Sequence, residues 1–312
     1  MEELQKVPEA RLRTISPGDF PKVLQLIDET FHDFEYLPRI KKGLYGGYLT
    51  SEGSFVVESA DGTLVGSICL ASLPRRGWFE TRYLAAKDNH ASIARALIVR
   101  AEEYAHSMNS ERLKAFVPMV QPYVDYYKDL GFVSVRRDLR MVWDLEKLQV
   151  IPNDLPGDVG FDIGELSGEM ADEASRVWGR GMTPHWDWWF EERGGLEAGS
   201  AWVKDSVREN DPWLGAFDSD DRMIGVTVAW PDSYEPGASM LNGVYVLPEE
   251  RGRGIGSGLL HAIIARTKAK SQRSMRVYTM SPLDHLAPGP IMYLKSGGTI
   301  EAEYTRLEKI IN

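Results

Sequence analysis

The chain has 312 residues, 43% apolar and 26% charged, and a net charge of −10 from 36 basic and 46 acidic side chains. At about 100–200 residues per domain this is a two-domain chain of ordinary globular make-up, which excludes a largely disordered chain, a collagen or a coiled-coil rod. The acidic balance argues against a general nucleic-acid binder. No apolar run is long enough for a membrane-spanning helix. The charged start MEELQKVPEARLR is no secretory signal. A single cysteine, Cys69, leaves neither a disulfide framework nor a cysteine-ligated zinc. A cytoplasmic protein is therefore expected.

In chain order, the turn Ser16-Pro17-Gly18-Asp19 precedes a helical pattern over 20–34. Strands are expected at 54–58 and 63–71, joined by Asp61-Gly62. Ile93, Leu97, Ala101 and Tyr104 share one face of a helix over 92–107. A strand at 113–118, a helix at 122–130 stopped by Gly131, and a strand at 132–144 follow. Residues 149–158 hold Pro152, Pro156 and Gly157 among polar turn-formers and read as a linker. Beyond it come a helix at 169–178, strands at 213–217 and 223–230 around an acidic turn, and a strand at 240–247. A helix over 257–270 carries Leu259, Leu260, Ile263 and Ile264 on one face. A strand at 275–280, a short helix at 291–295 before Gly297-Gly298, and a strand at 299–310 complete the chain.

The two halves superpose as sequence. Tyr83 to Leu97 lies on Tyr245 to Leu259 without a gap, and Tyr127 to Phe132 lies on Tyr293 to Gly298. Two matches in the same order, with the linker between them, argue for a tandem duplication into domains 1–150 and 151–312. Charge is uneven across them: residues 151–250 carry a net −15 and residues 251–312 a net +6.

The segment Val244-Tyr-Val-Leu-Pro-Glu-Glu-Arg-Gly-Arg-Gly-Ile-Gly-Ser257 is a strand, a glycine-rich loop and the start of a helix. Gly252, Gly254 and Gly256 let backbone N–H groups turn inward with no Cβ in the way. With the positive end of the helix dipole these donors suit a pyrophosphate, and Arg251 and Arg253 add charge at the rim. The Gly-Lys-Ser/Thr of a P-loop is absent, and the glycine spacing fails the dinucleotide fingerprint. The pattern that fits is Arg251-x-x-Gly254-x-Gly256 preceded by Val246-x-Pro248. Here the chain resembles the GNAT-type N-acetyltransferase superfamily, with Tyr293 to Gly297 similar to that family's Tyr-x-x-x-Gly element.

The resemblance implies a mixed α/β fold: two tandem GNAT-like domains, each a mostly antiparallel twisted sheet flanked by helices. It implies acetyl-CoA as co-substrate of the C-terminal domain. Val244, Tyr245 and Val246 match the strand that pairs with the pantetheine arm. Gly252, Arg253, Gly254, Ile255, Gly256 and Ser257 match the pyrophosphate loop, with Arg251 at its rim. Tyr293 matches the acid that protonates the departing thiolate, a sensible task for a phenol. The basic run Arg266, Lys268, Lys270, Arg273 and Arg276 either faces the nucleotide's phosphates or forms a solvated face. Three positions depart from the family: Leu286 stands where an asparagine is frequent, Gly298 where a phenylalanine is usual, and Asn242 where a glutamate base is frequent. The base is thus unassigned. Asp232 or Glu235 could act through a water, or an amine arriving neutral needs none. The N-terminal copy has Asn89, His90, Ser92 and Ala94 in place of Arg251, Gly252, Gly254 and Gly256. It is expected to bind no cofactor and to support the other half.

Seven of the nine tryptophans fall between 178 and 230. Trp186, Trp189 and Asp232 are the acceptor-site candidates, for an amine with an apolar or cationic body. The competing reading is that the tryptophans bury a face between domains. His185 and Asp187 are too few for a metal site, and none is expected. The expected activity is transfer of an acetyl group to a primary amine of a small molecule, by direct attack in a ternary complex with a backbone N–H near Val246 polarising the carbonyl. The protein would be a monomer or homodimer with no nucleic-acid or membrane partner. A protein or peptide N-acetyltransferase and a non-catalytic acyl-CoA-binding regulator are the alternatives.

Overall fold

The computed structural model describes residues 10–47, 49–73, 77–148, 160–183, 189–190, 195–206 and 211–311. The 149–158 linker and Trp186 lie outside the described residues. The fold is mixed α/β with mostly antiparallel sheet, as expected. Contacts divide the chain into two compact units. The first holds residues 1–138, 281–285 and 302–312, and the second 139–280 and 286–301. These differ from the sequence boundaries mainly at the C-terminus, because the last strand pairs with a strand of the first unit.

In the first unit β1 (Arg11–Thr14), β2 (Thr50–Glu58), β3 (Leu64–Ser72), β4 (Phe79–Ala86) and β5 (Arg112–Pro118) lie in that order. Next to β5 lies β12 (Thr299–Ile310), whose Tyr304–Ile310 segment pairs antiparallel with it. Helices α1 (Phe20–Phe31) and α2 (Leu37–Tyr45) follow β1, while α3 (Ala91–Ser107) and α4 (Tyr123–Asp129) flank β5 in the chain. Only β4 and β5 pair in parallel among these neighbours, and α3 is the crossover that parallel pairing requires. Every residue of β4 is buried. The apolar faces of α1 (Val23, Leu26, Ile27, Phe31) and α3 (Ile93, Leu97, Ile98, Ala101) join one core with it. Arg13 ties β1 to the start of α1, with its guanidinium 2.7 Å from Asp19 and 2.9 Å from Glu58.

The second unit begins within β6 (Val133–Asp144). It continues with β7 (Asp162–Glu165), α5 (Ala171–Met182), α6 (Leu196–Ser206), β8 (Trp213–Phe217), β9 (Met223–Trp230) and β10 (Ala238–Val246). Then come α7 (Ile255–Ala269), β11 (Ser274–Ser281) and α8 (Pro288–Lys295). Its strand order is β6-β11-β10-β9-β8-β7. Again one crossover, α7, joins the parallel pair β10 and β11. Leu259, Leu260, Ile263 and Ile264 of α7 are all buried against the sheet.

The periodic elements stand within a few residues of their expected places. Five were missed: β1, α2, β4, β7 and α6. β1 and β7 have four residues each, nine-residue α2 buries only Ile40 and Leu44, and β4 is buried at every residue, so none of these four shows a clear period. Among the described residues no helix is long and apolar enough to cross a membrane.

Candidate functional site

In the second unit β10 and β11 pair in parallel from Ala238↔Ser274 to Leu241↔Val277. On its other side β10 stays paired with β9 through Val246↔Gly225, and Asn242 is the extra residue of a bulge between Leu241 and Gly243. A bulge bends its strand. Past it β10 and β11 part, so one backbone edge of β10 from Asn242 to Val246 has no strand beside it. A cavity of about 770 Å³ lies there. Its walls are residues 242–246 of β10, 277–280 of β11, the loop from Glu250 to Ser257, His261 of α7, Gly181 of α5 and the 287–296 segment containing α8.

Gly243 makes this geometry possible. Its φ is +128°, and a Cβ there would lie 2.4 Å from the Tyr245 Oη. The Tyr245 ring therefore folds back over the glycine and donates to the Asn242 carbonyl at 2.6 Å. At the other end of the slot, Gly252 and Gly254 both have φ of +82°, where L side chains are strained. Gly254 caps α7, whose first N–H groups have no intrahelical partner. A Cβ on Gly252 or Gly254 would meet no protein atom within 4 Å, so the loop presents bare backbone and a helix N-terminus to the cavity mouth. Val244, Tyr245, Val246, Arg251, Gly252, Gly254, Ile255, Gly256 and Ser257 all line the cavity.

The arginines divide. Arg251 lines the cavity, and its guanidinium also donates to the carbonyls of Val246 (3.3 Å), Gly181 (2.9 Å) and Thr183 (3.1 Å). It thereby fastens the loop to the C-terminal end of α5. Arg253 turns away from the cavity, to Glu250 and to the Gly160 carbonyl. Glu250 is buried between Arg222 and Arg253. None of the five later basic residues lines the cavity. Among their contacts, Arg266 faces Glu165, Lys268 and Arg273 donate to the Leu148 and Pro236 carbonyls, and Arg276 is forked onto Glu301.

Tyr293 reaches the slot from α8. It is buried, with Trp143 edge-on at 5.4 Å. Burial raises its pKa above that of an ordinary phenol, and the Val244 backbone N–H directed at the hydroxyl offsets part of this. Burial, with Tyr293 nearby, raises Tyr245 likewise. Both phenols are protonated at neutral pH.

Two of the cavity residues that escaped the sequence reading carry ionisable side chains with partners in the structure. His261 sits 3.3 Å from the Ser296 Oγ, and partial burial lowers its pKa, which favours the neutral imidazole. Its i, i+4 relation to Ser257 on α7 was the available signal. Glu250 is the other. Asp232 does not reach the cavity. It is exposed, accepting from the Gly237 N–H at 2.6 Å and the Gln272 amide at 3.2 Å, which lowers its pKa and closes the 232–237 loop. Trp189 is not in the cavity wall either, packing on Trp178 at 5.3 Å and Phe190 at 5.4 Å. Trp178 in turn meets Tyr245 at 5.5 Å.

In the first unit the corresponding place is filled. The Tyr123 hydroxyl accepts from the Ala86 N–H at 3.1 Å and donates to its carbonyl at 3.2 Å. Tyr126 donates to the Asn89 carbonyl, and Tyr127 is paired with the Thr81 hydroxyl at 2.8 Å. In the sequence superposition Tyr123 falls on Gly289, which has no side chain and lines the cavity of the second unit. Glu80, at the place of Asn242, is buried between Arg82 and Arg306. Among the described residues no cluster of three or more His, Cys, Asp or Glu could hold a metal.

Residues 168–287 match the profile of the Acetyltransferase (GNAT) family. The likeness to this family lies in that segment, within the C-terminal half of the chain. Three solved structures share the fold along nearly its whole length. A GCN5-related N-acetyltransferase from Sphaerobacter thermophilus is 17% identical with a TM-score of 0.78, over 96% of this chain and 95% of its own. A tandem GNAT protein from the clavulanic acid biosynthesis pathway is 15% identical with a TM-score of 0.67, over 97% and 98%. A glucosamine N-acetyltransferase region of a fungal multi-domain β-N-acetylglucosaminidase is 16% identical with a TM-score of 0.71, over 96% of this chain and 38% of its own. No curated protein sequence matches the chain. GNAT proteins in general use acyl-CoA and amine acceptors, so the match over this segment supports acyl transfer. The matched segment spans the glycine loop and stops short of Tyr293.

Proposed function

We propose that the second unit transfers an acetyl group from acetyl-CoA to a primary amine of a small molecule, by direct attack in a ternary complex. The observation that carries this reading is the parting of β10 and β11, with the glycine loop at one end of the slot and the Tyr293 hydroxyl at its edge. The chemistry of the cleft fits the co-substrate. Backbone N–H groups and the start of α7 suit a diphosphate, and Arg251 brings positive charge. The edge of β10 that has no strand beside it suits the amide groups of a pantetheine arm, which would add to it as another strand does. A thiolate with pKa near 8.5 takes its proton readily from solvent or from a well-placed phenol, and Tyr293 keeps its proton at neutral pH. The first unit binds no acyl-CoA on this reading, because tyrosines occupy the equivalent backbone.

The test is release of free thiol from acetyl-CoA in the presence of a panel of primary amines, with mass spectrometry of the acetylated products. Thiol release that depends on the amine is the expected result. Failure of acetyl-CoA to bind the protein would overturn the proposal. Release only with peptide N-termini would move the acceptor to proteins.

A further inference from the structure

Asn242 is the first residue of β10 beyond its last pair with β11, so it stands where the slot narrows to its end. Its side-chain Nδ2 is buried and has no hydrogen-bond partner among the described residues. A buried amide donor without a partner is costly, and such groups mark places where a ligand supplies the missing oxygen. From Asn242 to Val246 the strand covers about 13 Å. A thioester whose diphosphate sits at the glycine loop and whose arm lies along this edge brings its acyl end to the asparagine.

We infer that the Asn242 side-chain amide donates to the carbonyl oxygen of the bound thioester and holds it as it becomes the tetrahedral oxyanion. The inference rests on the acyl-transfer reading and deepens it. The lone pair of the neutral amine forms the C–N bond while the carbonyl π electrons move onto oxygen, against the Asn242 N–H. The oxyanion then collapses, the C–S bond breaks, and the sulfur takes a proton from the Tyr293 hydroxyl. The surplus proton on nitrogen passes to solvent, from which Tyr293 is reprotonated. A carboxamide cannot take that proton. Among the described residues the one carboxylate in the cavity wall, Glu250, is held by Arg222 and Arg253. Asn242 is therefore a catalytic residue of the electrostatic kind and not a base. Fixed donors of this kind work best in a site shielded from water, where Val244, Val277 and Met292 form adjoining walls.

The experiment uses the full chain and acetyl-CoA labelled with ¹³C at the carbonyl. In the binary complex, without any acceptor, isotope-edited infrared spectroscopy should show the carbonyl stretch moved to lower frequency. In Asn242→Ala it should return toward the frequency of free acetyl-CoA. With an accepted amine, Asn242→Ala should lose about 10²–10³-fold in kcat while acetyl-CoA affinity changes little. Asn242→Asp is nearly the same shape and should be at least as impaired, since its carboxylate repels the oxyanion. Equal carbonyl frequencies in wild type and Asn242→Ala would overturn the inference. So would an active Asn242→Asp with a new acidic limb in its pH profile, which would make the position a base. If acetyl-CoA does not bind the wild type, the acyl-transfer reading itself fails, a result distinct from normal binding with an unshifted carbonyl.

Discussion

The Tyr123 hydroxyl bonds both the N–H and the C=O of Ala86. A strand's spare backbone groups are what an extended ligand would add to, so a side chain that takes both closes that strand to such a ligand. Burial pushes the Tyr123 phenol up to about 12, which keeps it a neutral donor and acceptor.

The expected stoichiometry is therefore one acyl-CoA per chain, measured by calorimetry. Introducing the first unit's device into the second, as Gly289→Tyr, should abolish binding with little change in thermal stability, because a Cβ at Gly289 meets only the Thr279 hydroxyl, 4.0 Å away. Two equivalent sites in the wild type would contradict this reading.

At Gly254 charge can be separated from backbone strain. Gly254→Asn and Gly254→Asp each place a side chain at φ +82°, a conformation both tolerate better than most residues. Both should therefore fold. Acetyl-CoA affinity should fall far more for the aspartate, whose carboxylate meets the diphosphate. Equal affinities for the two variants would show that the loop does not face the phosphates.

Tyr293→Phe keeps the ring against Trp143 and removes the proton donor. Turnover should fall by about 10²–10⁴-fold, with little change in acetyl-CoA affinity. Thermal unfolding should register only a small loss, because the half-buried Val244 N–H loses the oxygen that it faces. Tyr127→Phe, which loses only the Thr81 contact in the first unit, is the control and should leave turnover unchanged.

His261 supplies a pH dependence. Partial burial lowers its folded pKa below the ordinary 6.5, so the unfolded chain binds this proton more readily. Stability rises with pH wherever the unfolded state holds more protons, so this group's effect is absent well above 6.5 and destabilises as the pH falls through that value. His261→Gln should flatten the decline in melting temperature on mild acidification. An unchanged slope would mean that the imidazole titrates as it does in water.

Much of the site was legible because its chemistry is local. Gly252 and Gly254 stand at positive φ, and that demand falls on the residue itself. Helix α7 followed from a period that one face of a helix imposes. Asp232 and Trp189 were placed at the acceptor by proximity in sequence and by residue type. The structure sends one into a loop closure and the other into an aromatic cluster, because side-chain direction depends on neighbours the sequence does not announce.

Composition, periodicity and glycine spacing by themselves determined the repeat, the strand-loop-helix and the family resemblance, since each rests on backbone preferences or on contacts between near neighbours. Only the tertiary structure decided where β10 leaves β11, that Arg253 faces Glu250 while Arg251 faces the slot, and that Asn242 carries an unpaired donor. It alone also showed that residues 302–310 complete the sheet of the first unit. These facts turn on which distant strands share hydrogen bonds and in what register, and that pairing is settled by packing the whole chain at once.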